Sequence, residues 1–288
     1  MSQTSPPPAA IRKLPVVQTM FEAYGRVFGN PELLARAAAF PFCLSFFLVA
    51  LAVLGRAQPV MAGLVAILGL APYTIFGVTW HRVTLLGPQA GRPPLVVPWE
   101  RRHWRFLGYL IAVTLISNGM AVTIMSVAVI FAPQSAEDQS LFALSMVAAI
   151  AFIMAYVAVR FCFVFPAVSV DEEYRLAHAW RHTKGQGLRL LAALLLTALP
   201  FVLLIWMVGL FFDTLLFPAD PGAMGTAEVP GAEPPVSAPL LALSQIVIVA
   251  LNYVLMALML SAISISFRDC TGWVPGVGGA VIRGTEED

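Results

Sequence analysis

Four histidines, three cysteines and a few amides are the groups in this 288-residue chain best suited to chemistry. His178 and His182 stand at i, i+4, which would put two imidazoles on one helix face, a spacing that could hold a metal. Yet a metal site needs three or four ligands, and no His-Glu-x-x-His pattern completes this pair. With His81 and His103 they flank basic connections, so all four are expected to be solvated at an interface. None lies mid-way along an apolar run, which disfavours bis-histidine haem. Cys43, Cys162 and Cys270 form neither a disulfide framework nor a C-x-x-C motif and read as small apolar fillers. Gly-x-Ser-x-Gly is absent, and Gly276-Val277-Gly278-Gly279 lacks the context of a dinucleotide fingerprint and reads as a flexible tail. With no paired acid, base or metal constellation, the chain is expected to be non-enzymatic and to need no cofactor.

The remaining polar candidates sit inside long apolar runs: Ser117 and Asn118, then Ser244, Gln245 and Asn252. Gln245 and Asn252 are seven residues apart and share a helical face. Amides in hydrocarbon seek partners across helices, so packing is the expected role, and a polar cavity around Asn118, Gln245 and Asn252 is the alternative. Asp, Glu, Lys and Arg are missing from the centre of every run, with Arg160 near enough to an end to snorkel. That weakens a proton- or ion-coupled transport reading. Pro72 and Pro200 interrupt two runs and are expected to kink them.

Six elements must carry these groups: Ala37 to Leu54, Pro59 to Thr79, Phe106 to Ala132, Leu141 to Val159, Leu190 to Phe212 and Leu240 to Phe267. About 20 residues at 1.5 Å rise cross roughly 30 Å of hydrocarbon, and there helices satisfy every backbone amide. A composition of 59% hydrophobic and 11% charged residues, with mean hydropathy +0.83, excludes an ordinary soluble domain. The fold class is therefore an all-α polytopic bundle of six transmembrane helices with short amphipathic helices beside them. Residues 1–36 read as a tail and interfacial helix, 37–267 as the transmembrane domain and 268–288 as a tail. The Pro-rich, uncharged start is unlike a cleavable signal peptide.

Charge orients the bundle. Sixteen of the 17 Lys and Arg residues fall on one set of alternating segments, facing 10 acids. The other set holds only Arg56 against Glu137, Asp138, Asp213, Asp220, Glu228 and Glu233. Basic loops stay in the cytoplasm, so both termini are expected there.

Within the basic segments, Thr19 and Glu22 have capping-box spacing before a helix from Met20 to about Phe28. Its Phe21, Tyr24 and Phe28 would lie along the headgroups. Asn30-Pro31 reads as an N-cap and first helical residue. Ser169 and Glu172 form a second capping-box pattern, opening a helix with Asp171, Glu172 and Glu173 in its first turn and ending it before Gly185. Leu176, Ala177 and Trp180 give that helix an apolar side. Trp99 and Trp104 read as interface anchors. Paired spans, each entered and left past an Arg, suggest three repeated hairpins, although Arg flanks many cytoplasmic helix ends. Asp213 to Pro239 reads as an irregular outer loop.

Two stretches, Arg160 to Ala167 (RFCFVFPA) and Trp180 to Leu191 (WRHTKGQGLRLL), carry a resemblance to a known group. They resemble the membrane domain that accompanies some glycerophosphodiester phosphodiesterases and related stand-alone six-helix bacterial inner-membrane proteins. The resemblance implies catalysis on a separate soluble domain, for which this chain has no room. The expectation is an accessory or scaffold, with Arg101, Arg102, Arg105, Trp180, Arg181, Lys184 and Arg189 contacting anionic lipid or another membrane protein, and not nucleic acid. A small transporter or lipid-handling protein is the alternative.

Overall fold

The computed structural model describes residues 13–54, 59–91, 99–130, 136–216 and 238–275. Among these residues the elements are all helical, with no strand. They are α1 (Val16–Gly29), α2 (Pro31–Leu54), α3 (Pro59–Leu68), α4 (Leu70–Leu86), a 3-10 turn (Pro88–Gly91), α5 (Arg101–Ile130), α6 (Ala136–Phe161), α7 (Val164–Ser169), α8 (Leu176–His182), α9 (Gly187–Leu216) and α10 (Ala238–Thr271). The continuous α3–α4 segment, with α2, α5, α6, α9 and α10, provides six helices long and apolar enough to cross a membrane. Several outrun their apolar cores. α2 opens at Pro31, as the Asn30-Pro31 pair anticipates, and α9 carries Asp213 inside its last turn. Arg56, Pro93-Pro94, the rest of the loop after α9 and the glycine-rich tail lie outside the described residues, as do the side chains of Glu137 and Asp138.

The two span prolines sit in different local settings. The second span breaks at Gly69, one turn before Pro72, whose missing N–H leaves the Leu68 carbonyl without its helical donor. Gly69 itself still donates to the Val65 carbonyl at 2.8 Å. α9 instead runs unbroken through Pro200.

α2 packs on α4, α5 on α6, and α9 on α10, while α1 lies against α9 and α10. α1 is thus packed on the bundle along one side. Thr19, Ala23 and Val27, at i, i+4 and i+8, are buried, and Tyr24 and Phe28 pack on Phe201 with ring centroids at 6.3 and 5.9 Å. Phe21 points outward, 66% exposed, and Phe28 remains half exposed beside its contact with Phe201. The capping-box reading at Thr19 fails, because the helix already starts at Val16. Thr19 donates its hydroxyl back to the Pro15 carbonyl at 2.9 Å, and Glu22 reaches Arg268 at 3.1 Å.

The second capping box has the opposite polarity from the one expected. Ser169 ends α7 rather than starting a helix, and its hydroxyl donates to Phe165 O at 2.8 Å. Asp171 then adopts φ 64°, with Asp171 N–H on Val168 O at 3.1 Å and Glu172 N–H on Ala167 O at 3.0 Å. Those two bonds are the Schellman pattern that closes a helix, with Asp in the left-handed position usually taken by Gly. The following helix, α8, starts only at Leu176, so the three acids lie in the turn between helices. Gly185, φ 77°, serves the turn between α8 and α9.

Side chains from all four basic segments meet at one end of the bundle. Arg26 donates to Thr84 O at 2.7 Å, Arg82 to Ser169 O at 3.0 Å, and the Trp273 indole to Glu172 at 3.0 Å. Leu14 N–H donates to the Gln186 side-chain oxygen at 3.3 Å.

Candidate functional site

The 160–167 and 180–191 stretches form one clasp at this basic end. Arg160, only 5% exposed, lays its guanidinium 4.2 Å from the Trp180 ring centre and donates to Trp180 O at 2.8 Å. Thr183 donates in turn to Arg160 O at 3.1 Å and Ala179 O at 2.8 Å. A Cβ on Gly187 would stand 3.1 Å from Arg160 Cδ and 3.2 Å from the Tyr156 ring, so α9 begins with the residue that admits this approach. Arg160 therefore does not snorkel. Its stem is enclosed, and a carbonyl and an indole face take the place of water.

Beside the clasp stands Tyr174, 1% exposed, with its ring against Phe267 at 5.9 Å. Its hydroxyl meets His182 Nδ1 at 2.7 Å, and its carbonyl accepts from the Tyr109 hydroxyl at 3.1 Å. Burial, with the nearby His178 and Arg181 charges adding to it, lowers the His182 pKa, so the imidazole is neutral at pH 7 where it shares this hydrogen bond with the phenol. Burial raises the Tyr174 pKa, keeping the phenol protonated.

The expectation of four solvated histidines is corrected for two of them. His81 is fully buried, with Nδ1 2.7 Å from Ser264 Oγ. His103 is 3% exposed and accepts the Glu100 N–H at 3.0 Å. For His81 the reason is the central placement of α4, which packs against α2, α5, α7 and α10 and buries most of its last turns. Trp80 Nε1 donates to Ser261 Oγ at 2.9 Å, so Trp80-His81 matches Ser261-x-x-Ser264 across the α4–α10 seam. Sequence reasoning missed this pairing. Its signal was two hydroxyls at i, i+3 in an apolar helix opposite adjacent indole and imidazole donors.

The basic side chains fall into two sets. Arg26, Arg82, Arg102, Arg160 and Arg268 are committed to internal carbonyls or carboxylates. Arg102 bonds Asp171 at 2.8 Å and also Glu100, and Arg82 lies 3.5 Å from Asp171. Arg105 spends one nitrogen on Glu172 O at 3.1 Å. Arg101, Arg175, Arg181, Lys184 and Arg189 are exposed and form no ion pair among the described residues. Around them Trp180 and Leu188 present apolar surface, 44% and 63% exposed. Trp104, also outward at 64%, meets Trp99 edge to face with ring centroids 5.4 Å apart.

The amides within the long apolar helices do not converge. Asn118 and Asn252 are exposed and donate to their own helices, at Thr114 O and Ile248 O, both 2.8 Å. Neither bond crosses to another helix, contrary to the packing expectation for these two. Asn118 and Ser117 line an apolar groove of about 580 Å³ between α5, α6, α9 and α10, whereas Gln245 and Asn252 lie away from it. The buried Ser117 hydroxyl has no partner among the described residues. Cys162 is buried in the same wall, Cys270 is buried nearby in the core, and Cys43 is exposed.

Comparison with family models, curated proteins and solved structures finds no match to this chain.

Proposed function

We propose that this chain is a multi-pass protein of a bacterial inner membrane, with both termini cytoplasmic. It acts without catalysis, as an accessory or scaffold whose basic end contacts anionic lipid or a partner protein. One observation carries the reading. Arginines needed for the fold are used up internally, yet Arg181, Lys184 and Arg189 remain exposed and without an ion pair among the described residues, beside the exposed Trp180 and Leu188. A bundle could keep its shape without these cations. Aromatic and aliphatic surface next to Lys and Arg suits the headgroup layer, where each well-placed base contributes about 1 kcal/mol towards anionic lipid.

The test is lipid quantification after extraction into polymer-bounded native discs. The intact chain is expected to be enriched in anionic lipid relative to the bulk membrane, and Arg181→Glu with Lys184→Glu to remove most of that enrichment. Equal lipid composition around both proteins would reject the electrostatic part, and a stable co-purifying protein would shift the reading to a partner scaffold.

A lipid-handling role is the second reading, favoured by the groove beside Asn118. Its lining suits acyl chains better than a polar solute.

A further inference from the structure

We propose that the ridge of α5 seats one anionic glycerophospholipid, with its phosphate between Arg101, Arg105 and Arg175 and an acyl chain in the apolar groove. This rests on the lipid-contacting function above and names the ligand and its place.

Arg101, Arg105, Tyr109, Val113 and Ser117 stand at successive i, i+4 positions and make one continuous row on α5. The first three line a polar cavity of about 450 Å³ at the basic end, which Arg175 closes from the turn before α8. The last two line the apolar groove of about 580 Å³. At 1.5 Å per residue the row is roughly 24 Å long. One leaflet of a bilayer about 40–45 Å thick, headgroups included, has nearly that depth. The row thus passes from cationic to apolar over the distance at which a phospholipid does.

Charge favours an anion. Of the two carboxylates in the polar cavity, Asp171 is already engaged by Arg82 and Arg102, neither of which lines it. Glu173 then faces three guanidiniums. Arg101 and Arg175 form no ion pair among the described residues, and Arg105 has nitrogens left after its single bond to Glu172 O. Planar forks of this kind bind phosphate oxygens with two parallel bonds. A soluble phosphate ester would fill only the upper cavity, leaving Leu110, Met154, Leu195 and Ile263 in the groove uncovered.

The experiment is native mass spectrometry of the full chain in detergent, titrated separately with phosphatidylglycerol, phosphatidylethanolamine and glycerol 3-phosphate. One phosphatidylglycerol is expected to be retained at least tenfold more tightly than either of the others. Arg101→Glu with Arg175→Glu, both at exposed positions, should weaken retention tenfold or more. So should Leu195→Trp, which fills the groove from its exposed rim. Arg181→Glu with Lys184→Glu should change it less than twofold. Retention unaffected by either site variant would overturn the proposal, and so would glycerol 3-phosphate or phosphatidylethanolamine binding as tightly as phosphatidylglycerol. Loss of anionic enrichment in native discs while the single lipid stays bound would sink only the broader surface reading. Enrichment without a retained lipid would sink only this site.

Discussion

At the basic end, α6 and α9 are fixed by a buried arginine, an indole, a hydroxyl and a glycine that touch one another, whereas toward their other ends α5, α6 and α9 present mostly apolar side chains outward. Phe163, Val164, Ala167, Ala179, Leu190 and Phe267 are 0% exposed, while Leu115, Val122, Ile130, Leu144, Trp206 and Met207 are each more than half exposed. The same helices take part in both regions, so helix formation cannot be what separates them. The difference is that the basic end has interior polar groups that must find partners, and partners fix geometry. Toward the opposite end apolar side chains need only an apolar surround, which lipid supplies as well as protein does.

Core truncation should separate the two regions most widely. Phe163→Ala is expected to lose about 3–5 kcal/mol of stability, and Phe211→Ala, 59% exposed toward the other end of α9, no more than about 0.5 kcal/mol. Unfolding in mixed micelles titrated with dodecyl sulfate measures both, and equal losses would break the comparison. Next come the glycines. Gly187→Val should cost about 1–3 kcal/mol by crowding Arg160 and Tyr156. Gly119→Ala, with nothing within 4 Å, should be neutral or gain up to about 1 kcal/mol of helix propensity.

Hydroxyl deletion gives a smaller contrast in the same assay. Thr183→Val removes the bond that ties α8 to α6 and should cost about 1 kcal/mol. Thr123→Val removes only a bond to its own helix, at Gly119 O, and is expected to have no measurable effect. The smallest expected effect is a pH dependence. Because the folded His182 pKa lies below its unfolded value, the unfolded chain binds more protons as pH falls through about 6.5. The stability associated with burying this imidazole in its neutral form is thus full above that range and is lost as pH falls toward the folded value. His182→Gln should flatten part of the decline in unfolding temperature between pH 7 and pH 5, and identical profiles would remove His182 from the account.

The spans were legible because hydrophobic length needs no tertiary information, and Asn30-Pro31 located the start of α2 because Pro tolerates few other helix positions. Ser169-x-x-Glu172 misled for a physical reason. A hydroxyl three residues before a carboxylate suits a helix start, but the same hydroxyl can bond back to a carbonyl at a helix end. Only the left-handed Asp171 decides between them. His81 was misread because charge alternation reports the side on which a residue lies, and depth within the bundle depends on which helix is central. The cationic residues were visible as a group. Their division into fold-holding and exposed members depends on carbonyls and carboxylates more than 60 residues away, such as Glu172 for Arg105 and Asp171 for Arg102.

The claim on which the functional reading depends is that this ordered end faces the cytoplasm. Lys184→Cys and Arg101→Cys, each in a Cys43→Ser background, can be treated with a membrane-impermeant maleimide in spheroplasts and in inverted vesicles. Both cysteines are expected to react in inverted vesicles and to stay unlabelled in intact spheroplasts, while Ala232→Cys reacts only from outside. Labelling of Lys184→Cys in intact spheroplasts would contradict the orientation and the lipid-contacting surface derived from it.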